Sequence, residues 1–141
     1  MKILVPVDGS RPSLRAVKLA IAMAKKARPS EIALVNVQDT RRLDFGELGP
    51  ATPTLLEQAA REEGEQALRR AVALCKAAKV KYSAQVEIGA IAETAFRIGR
   101  RKRVDHIVMG TRGLGGVRGL LLGSVATQLI HLATVPVTLV K

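Results

Sequence analysis

Six glycines crowd one short stretch, at positions 110, 113, 115, 116, 119 and 123, and they are half of the twelve in the chain. Glycine lets a backbone come close to a ligand or adopt positive φ, so that amide N–H groups can point at an anion. Just before them, Val104-Asp105-His106-Ile107-Val108-Met109 is a short β-branched run that stops at Gly110, the composition of a buried strand ended by a turn. Just after them, Ser124 stands at an expected N-cap ahead of Val125, Ala126, Leu129, Ile130 and Ala133 at helical spacing. Strand, glycine loop and helix N-terminus together suit phosphate, because the helix start adds unpaired N–H groups and the positive end of its dipole.

Two common phosphate motifs are excluded. A Walker A loop needs a lysine before its Ser or Thr, and Leu122-Gly123-Ser124 has none. In the dinucleotide fingerprint, Gly113-x-Gly115 would require a third glycine where Arg118 stands. What remains is G-x2-G-x9-G-S, formed by Gly110, Gly113, Gly123 and Ser124. Set between a strand and a helix start, that spacing favours phosphate binding over a functionless flexible loop.

The rest of the chain must position this loop. Its 141 residues suit one domain, 1–141, with a real core. No segment approaches the ~20 apolar residues of a membrane span. Met1 to Val7 reads as a strand covered on both faces rather than a signal peptide. The only cysteine, Cys75, excludes an internal disulfide framework, reads as a core residue, and suits a reducing cytoplasm.

Asp8-Gly9 follows the first strand, and Ser10 is placed to cap a helix with Pro12 in its first turn and Pro29 as its stop. Glu31 to Val37 is a second strand. Residues 38–52 form a long polar connection, expected to be a functional flap or disordered. Thr52-Pro53 opens a long helix to about Lys79, with a stripe through Leu56, Ala60, Gly64, Leu68, Val72, Cys75 and Ala78, on which the missing side chain of Gly64 lets the helix approach the sheet closely. Lys81 to Ile88 is a third strand, and a short helix marked by Ile91, Ala95 and Ile98 closes in Gly99-Arg100-Arg101-Lys102-Arg103. That basic run reads as a solvated helix end complementing the dipole rather than a nucleic-acid site. Val135 to Val140 is a fifth strand, placed by Pro136 at a sheet edge or strand start. The alternation βαβαβαβαβ predicts an open α/β fold of parallel strands joined by right-handed crossovers.

The formal charge of +11 and pI near 10.7 favour anionic partners without choosing among them. Aromatic residues are 2%, so stacking platforms for single-stranded nucleic acid are missing.

The G-x2-G-x9-G-S spacing resembles the ATP-binding signature of the universal stress protein family. The likeness to that family extends over nearly the whole chain. Pro6-Val7-Asp8-Gly9-Ser10 resembles its opening strand and acidic turn, Gly89-Ala90-Ile91-Ala92-Glu93 its third βα junction, Val108-Met109-Gly110-Thr111-Arg112-Gly113 and Gly123-Ser124-Val125-Ala126 its most specific segments, and Val135-Pro136-Val137 its final strand. The resemblance implies a Rossmann-like five-stranded sheet in the order 3-2-1-4-5 with helices on both faces. The first and fourth strands then lie side by side at a switch point, where ligand crevices form. It also implies roles. Asp8, with Pro6 and Val7, would lie by the ribose and adenosine, and its carboxylate would help hold Mg²⁺. Val37 would offer backbone groups to the adenine edge, and Met109 and Gly110 would line the nucleoside. Gly113, Gly123, Ser124 and Val125 would wrap the phosphates with backbone N–H groups.

The function so implied is that of a cytoplasmic, Mg-ATP-binding stress-response protein. Binding rather than turnover would matter, with weak ATPase activity at most, since Arg112 or Arg118 could supply charge but no general base accompanies them. A homodimer through the fifth strand is expected, with no membrane association and only nonspecific nucleic-acid contact. The competing reading is a basic nucleic-acid-binding protein, against which stands the lack of any recognisable reading motif. A flavin protein on a similar sheet lacks a stacking aromatic at the switch point. His106 and His131 read as structural histidines.

Overall fold

The computed structural model describes residues 1–42, 52–115, 119 and 121–141. Much of the connection expected over 38–52 (residues 43–51) therefore lies outside the described residues, as does Arg118.

Among the described residues, five strands and four helices alternate. They are β1 (Lys2–Pro6), α1 (Arg11–Lys26), β2 (Glu31–Gln38), α2 (Pro53–Ala78), β3 (Tyr82–Ile88), α3 (Ile91–Lys102), β4 (His106–Gly110), α4 (Ser124–Leu132) and β5 (Val137–Val140), with a 3₁₀ turn at Thr40–Arg42. All strands are parallel, in the order β3-β2-β1-β4-β5. That is the order the resemblance implied, and it puts β5 at an edge with Pro136 just ahead of it.

The central strand explains why its sequence is nearly all apolar. Ile3, Leu4 and Val5 are each 0% exposed, because successive side chains enter opposite cores. Ile3 and Val5 meet Leu34, Val108, Val17 and Leu68 on the α1/α2 face. Leu4 meets Val35, Ile107, Ile98 and Leu129 on the α3/α4 face. Each such side chain contributes about 1.5–3 kcal/mol when fully buried. Cys75 lies in the first core, and burial pushes its thiol up to about 11, so it stays protonated and inert near neutral pH.

The helix starts were largely legible. The Ser10 hydroxyl accepts the Ser13 N–H at 3.3 Å, and the Thr52 hydroxyl accepts that of Leu55 at 3.3 Å, each just ahead of a proline in the first turn. α4 differs. Its N-cap is Gly123, while Ser124 is the first helical residue and makes no capping bond. Glycine is itself an acceptable N-cap, so the one-residue shift leaves no signature in the sequence.

Gly64 has a packing role. A Cβ there would lie 2.5 Å from Val86 Cγ1 and 2.7 Å from Asn36 Oδ1, so glycine is what lets α2 settle onto β2 and β3. Gly64→Ala is expected to destabilise the fold by roughly 1–3 kcal/mol, despite alanine's better helix propensity. A melting temperature equal to or above the parent's would contradict this.

Candidate functional site

β1 and β4 are neighbours whose connections leave in opposite directions, so their C-terminal ends open a crevice. Beyond β1, the Val7 N–H donates to Val35 O at 2.8 Å and the Asn36 amide donates to Val7 O at 2.8 Å. These bonds carry the ladder one residue past the strand and fix the turn that presents Asp8. The Asp8 carboxylate then bridges two segments. Oδ1 accepts the Ser10 N–H at 2.9 Å, and Oδ2 accepts the Leu114 N–H of the glycine loop at 3.1 Å.

The loop has a closed stem. Thr111 N–H donates to Val140 O at 2.8 Å, anchoring the loop on β5, and Gly123 N–H donates to Thr111 O at 2.7 Å, joining its two ends. The Gly123 amide is therefore engaged, contrary to its expected part in wrapping phosphates. The α4 start still presents the N–H groups of Ser124 and Val125, which have no partner four residues back within the helix.

The glycines also work differently from expectation. Positive φ among the described glycines occurs at Gly9, Gly89 and Gly119, whereas Gly123 has φ −73° and ψ 163°. Gly110 is a close-approach position, where a Cβ would meet Pro12 Cβ at 2.8 Å and crowd the start of α1. At Gly113 a Cβ would collide with Asp8 Oδ2. Gly123 has room, with Arg112 Cα and Thr111 O at 3.5 Å from the would-be Cβ.

All ten residues expected at the site come together. Pro6, Val7, Asp8, Val37, Met109, Gly110 and Val125 line a small, mainly apolar slot of about 100 Å³. Asp8, Val37, Gly113, Gly123, Ser124 and Val125 also line a wider cleft of about 690 Å³ that opens from it. Val35 sends its carbonyl toward β1, and strand alternation turns the Val37 N–H and C=O the same way, beyond β1's last paired residue. An apolar slot edged by backbone donors and acceptors can hold a planar heterocycle. A helix start across a wider cleft can hold an anion.

Sequence reasoning did not single out Asn36, Gln38 or Ile91, although all three line the cleft. The signal was a polar residue inside the apolar run of β2: buried Asn36 accepts from Gln38 Nε2 at 2.8 Å while holding Val7. The cleft's charge is also notable. Asp8, Asp39 and Glu63 line it with Arg112, although Asp39 is paired with Arg41 at 2.7 Å. Asp8 could serve as one ligand to Mg²⁺, since each carboxylate oxygen keeps a second lone pair beside its amide bond. Mg²⁺ commonly takes one or two carboxylates and completes its shell with phosphates and water, which suits a single carboxylate beside an anion site.

His106 is not part of this site. Its Nε2 lies 2.7 Å from Thr138 Oγ1, an inter-strand bond within the sheet. Among the described residues no helix is long and apolar enough to cross a membrane.

Comparison with known proteins finds relatives that match almost all of the chain. The chain is 35% identical over 140 residues to universal stress protein MJ0531 of Methanocaldococcus jannaschii, covering 99% of this chain and 81% of that protein. Its fold superposes on hypothetical protein MJ0577 with a TM-score of 0.85 at 28% identity, covering 99% of this chain and 94% of that one. It also superposes on a universal stress protein family protein from Arabidopsis thaliana with AMP bound, with a TM-score of 0.69 at 22% identity, covering 100% and 91% of the two chains. The family model for universal stress proteins matches residues 1–141, and the chain belongs to the universal stress protein family.

Proposed function

We propose that this chain binds ATP with Mg²⁺ in the cleft between Asp8 and the α4 start, and that it serves in a cytoplasmic stress response by binding rather than by turnover. The observation that carries the reading is the junction of the apolar slot with the cleft at Asp8, Val37 and Val125. Adenine would occupy the slot, the ribose would lie by Asp8, and the phosphates would face Ser124 and Val125. The AMP-bound Arabidopsis relative supports an adenine nucleotide. The carboxylates lining the cleft support Mg²⁺, because a bare triphosphate beside them would be repelled. When bound, the metal would neutralise phosphate charge. Hydrolysis would be weak at most, since turnover would also need a water held in line with the γ-phosphate.

Calorimetry on nucleotide-free, folded protein tests the reading. Mg-ATP at about 100 times its dissociation constant should add about 2.7 kcal/mol of stability, a melting shift of several degrees. The absence of both heat and melting shift at millimolar Mg-ATP would overturn it.

We also propose a homodimer through β5. This strand is an edge, and alternation from Pro136 and Val140, whose carbonyls accept from Ile107 and Thr111, turns the backbone groups of Val137 and Leu139 outward. A two-fold pairing of two β5 edges would satisfy them. Light scattering is expected to give twice the chain mass at micromolar concentration, and a monomer there defeats the proposal. Val137 and Leu139 also pack on the α3/α4 core, so replacing both with lysine should give monomeric or unfolded protein.

A further inference from the structure

The sequence puts its basic runs at helix ends, and the topology gathers those ends. Each helix carries the chain from the C-terminal edge of the sheet back to its N-terminal edge, so α1, α2 and α3 all finish on the pole opposite the cleft. α1 brings exposed Lys25 and Lys26, with Arg28 just beyond. α2 brings exposed Lys76 and Lys79, and Lys81 follows before β3. α3 finishes in Arg100, Arg101 and Lys102, with Arg103 as its C-cap. Lys2 opens β1 in register with Glu31. A cavity of about 420 Å³ lies at the α3 end of this pole, where Lys2, Arg101, Lys102 and Arg103 line it together with the acidic Glu31.

Local compensation is small. Lys81 is 3.2 Å from Glu31, and Arg101 is 3.7 Å from Glu87. Asp105 accepts the Lys2 backbone N–H at 2.7 Å. A helix C-terminus carries about half a negative charge, so the three helix ends answer fewer than about two of these cations. Most of the formal excess of +11 therefore stands on one pole.

We propose that this pole is a contact surface for the phosphate backbone of duplex nucleic acid. Backbone contact needs cations at many points and no reading element. A single strand would call for stacking aromatics. Here Tyr82 packs on the core and Phe96 lies under Arg100 at 5.9 Å. A lipid surface would call for apolar side chains beside the basic ones. Among the described residues, exposed Leu55, Leu114 and Leu121 belong to the cleft end, leaving Ile130 alone toward the basic pole. The inference is independent of the nucleotide reading.

The test compares two variants of equal charge loss. One replaces Lys25, Lys26, Arg100 and Arg101 with Gln, and the other replaces Lys18, Arg69, Arg70 and Arg97, exposed residues on the helix flanks. Binding of the full chain to a mixed-sequence DNA duplex and its RNA counterpart is measured from about 50 to 200 mM salt, with cooperative thermal unfolding as the control for folding. The parent should bind a duplex with affinity falling roughly 10³-fold across that range if about six phosphates are contacted. The pole variant should bind at least about tenfold more weakly, with a salt slope shallower by up to about 3.6, while the flank variant stays near the parent. Preference for DNA or RNA identifies the duplex. Equal weakening in both variants, absence of duplex binding at low salt, or binding to anionic vesicles in place of duplexes would each overturn the proposal.

Discussion

Gly123→Val is expected to abolish Mg-ATP binding and leave the sheet folded. The two halves of that result have separate causes. Gly123 sits at φ −73° and ψ 163°, in the extended region that valine adopts freely. Its would-be Cβ finds contacts at 3.5 Å, an ordinary van der Waals distance, and the Gly123 N–H bond to Thr111 O does not depend on the side chain. The protein thus has room for the substitution. The cleft does not, in the proposed mode, because Gly123 borders it beside Ser124 and Val125, where the phosphates would lie. Gly123→Ala should fall between the two, folded and weakened. Calorimetry and thermal melting with and without Mg-ATP read both halves together. A Gly123→Val protein that binds like the parent removes the phosphates from this helix start, and one that no longer melts cooperatively shows the loop stem to be less roomy than its geometry.

The contrast between Gly123 and the other motif glycines marks how far the sequence could be read. Spacing located the loop between β4 and α4, and the residues that the family resemblance implied line one crevice. It could not say what each missing side chain was for. Gly110 makes room for Pro12 and Gly113 for the Asp8 carboxylate, both contacts between segments distant in sequence. A pattern records that no Cβ is present, while the partner it would strike belongs to the tertiary structure. The same limit hid Asn36. An asparagine in a buried strand has to find partners, but nothing local shows that they are Val7 O and Gln38. Features governed by neighbours in sequence were legible: the cap at Ser10, the helix start at Thr52-Pro53, the apolar β1, and Cys75 on the buried face of α2. The basic runs fell between these cases. Each reads alone as a helix end, and only the parallel topology places them at one pole of the sheet.

Asp8→Asn should produce two separable losses, one in the empty protein and one in the liganded state. As a carboxylate, Asp8 accepts from Ser10 on one oxygen and from Leu114 on the other. Asparagine keeps a single acceptor oxygen, so one of the two N–H groups would meet an amide NH₂ instead. A lost hydrogen bond to a charged group is worth about 1.5–3 kcal/mol, and the half-buried position of Asp8 puts this one toward the lower figure. A drop of several degrees in melting temperature without nucleotide is therefore expected. The second loss concerns affinity. If the carboxylate also serves as a metal ligand, removing its charge should weaken ATP binding more with Mg²⁺ present than with the metal chelated. If it acts only by tying the glycine loop to the turn after β1, the two conditions should lose affinity equally. Calorimetric titrations of parent and variant in both conditions separate these roles. An equal loss would strip Asp8 of its metal role while keeping the tie, whereas unchanged melting and unchanged affinity would remove it from the site altogether.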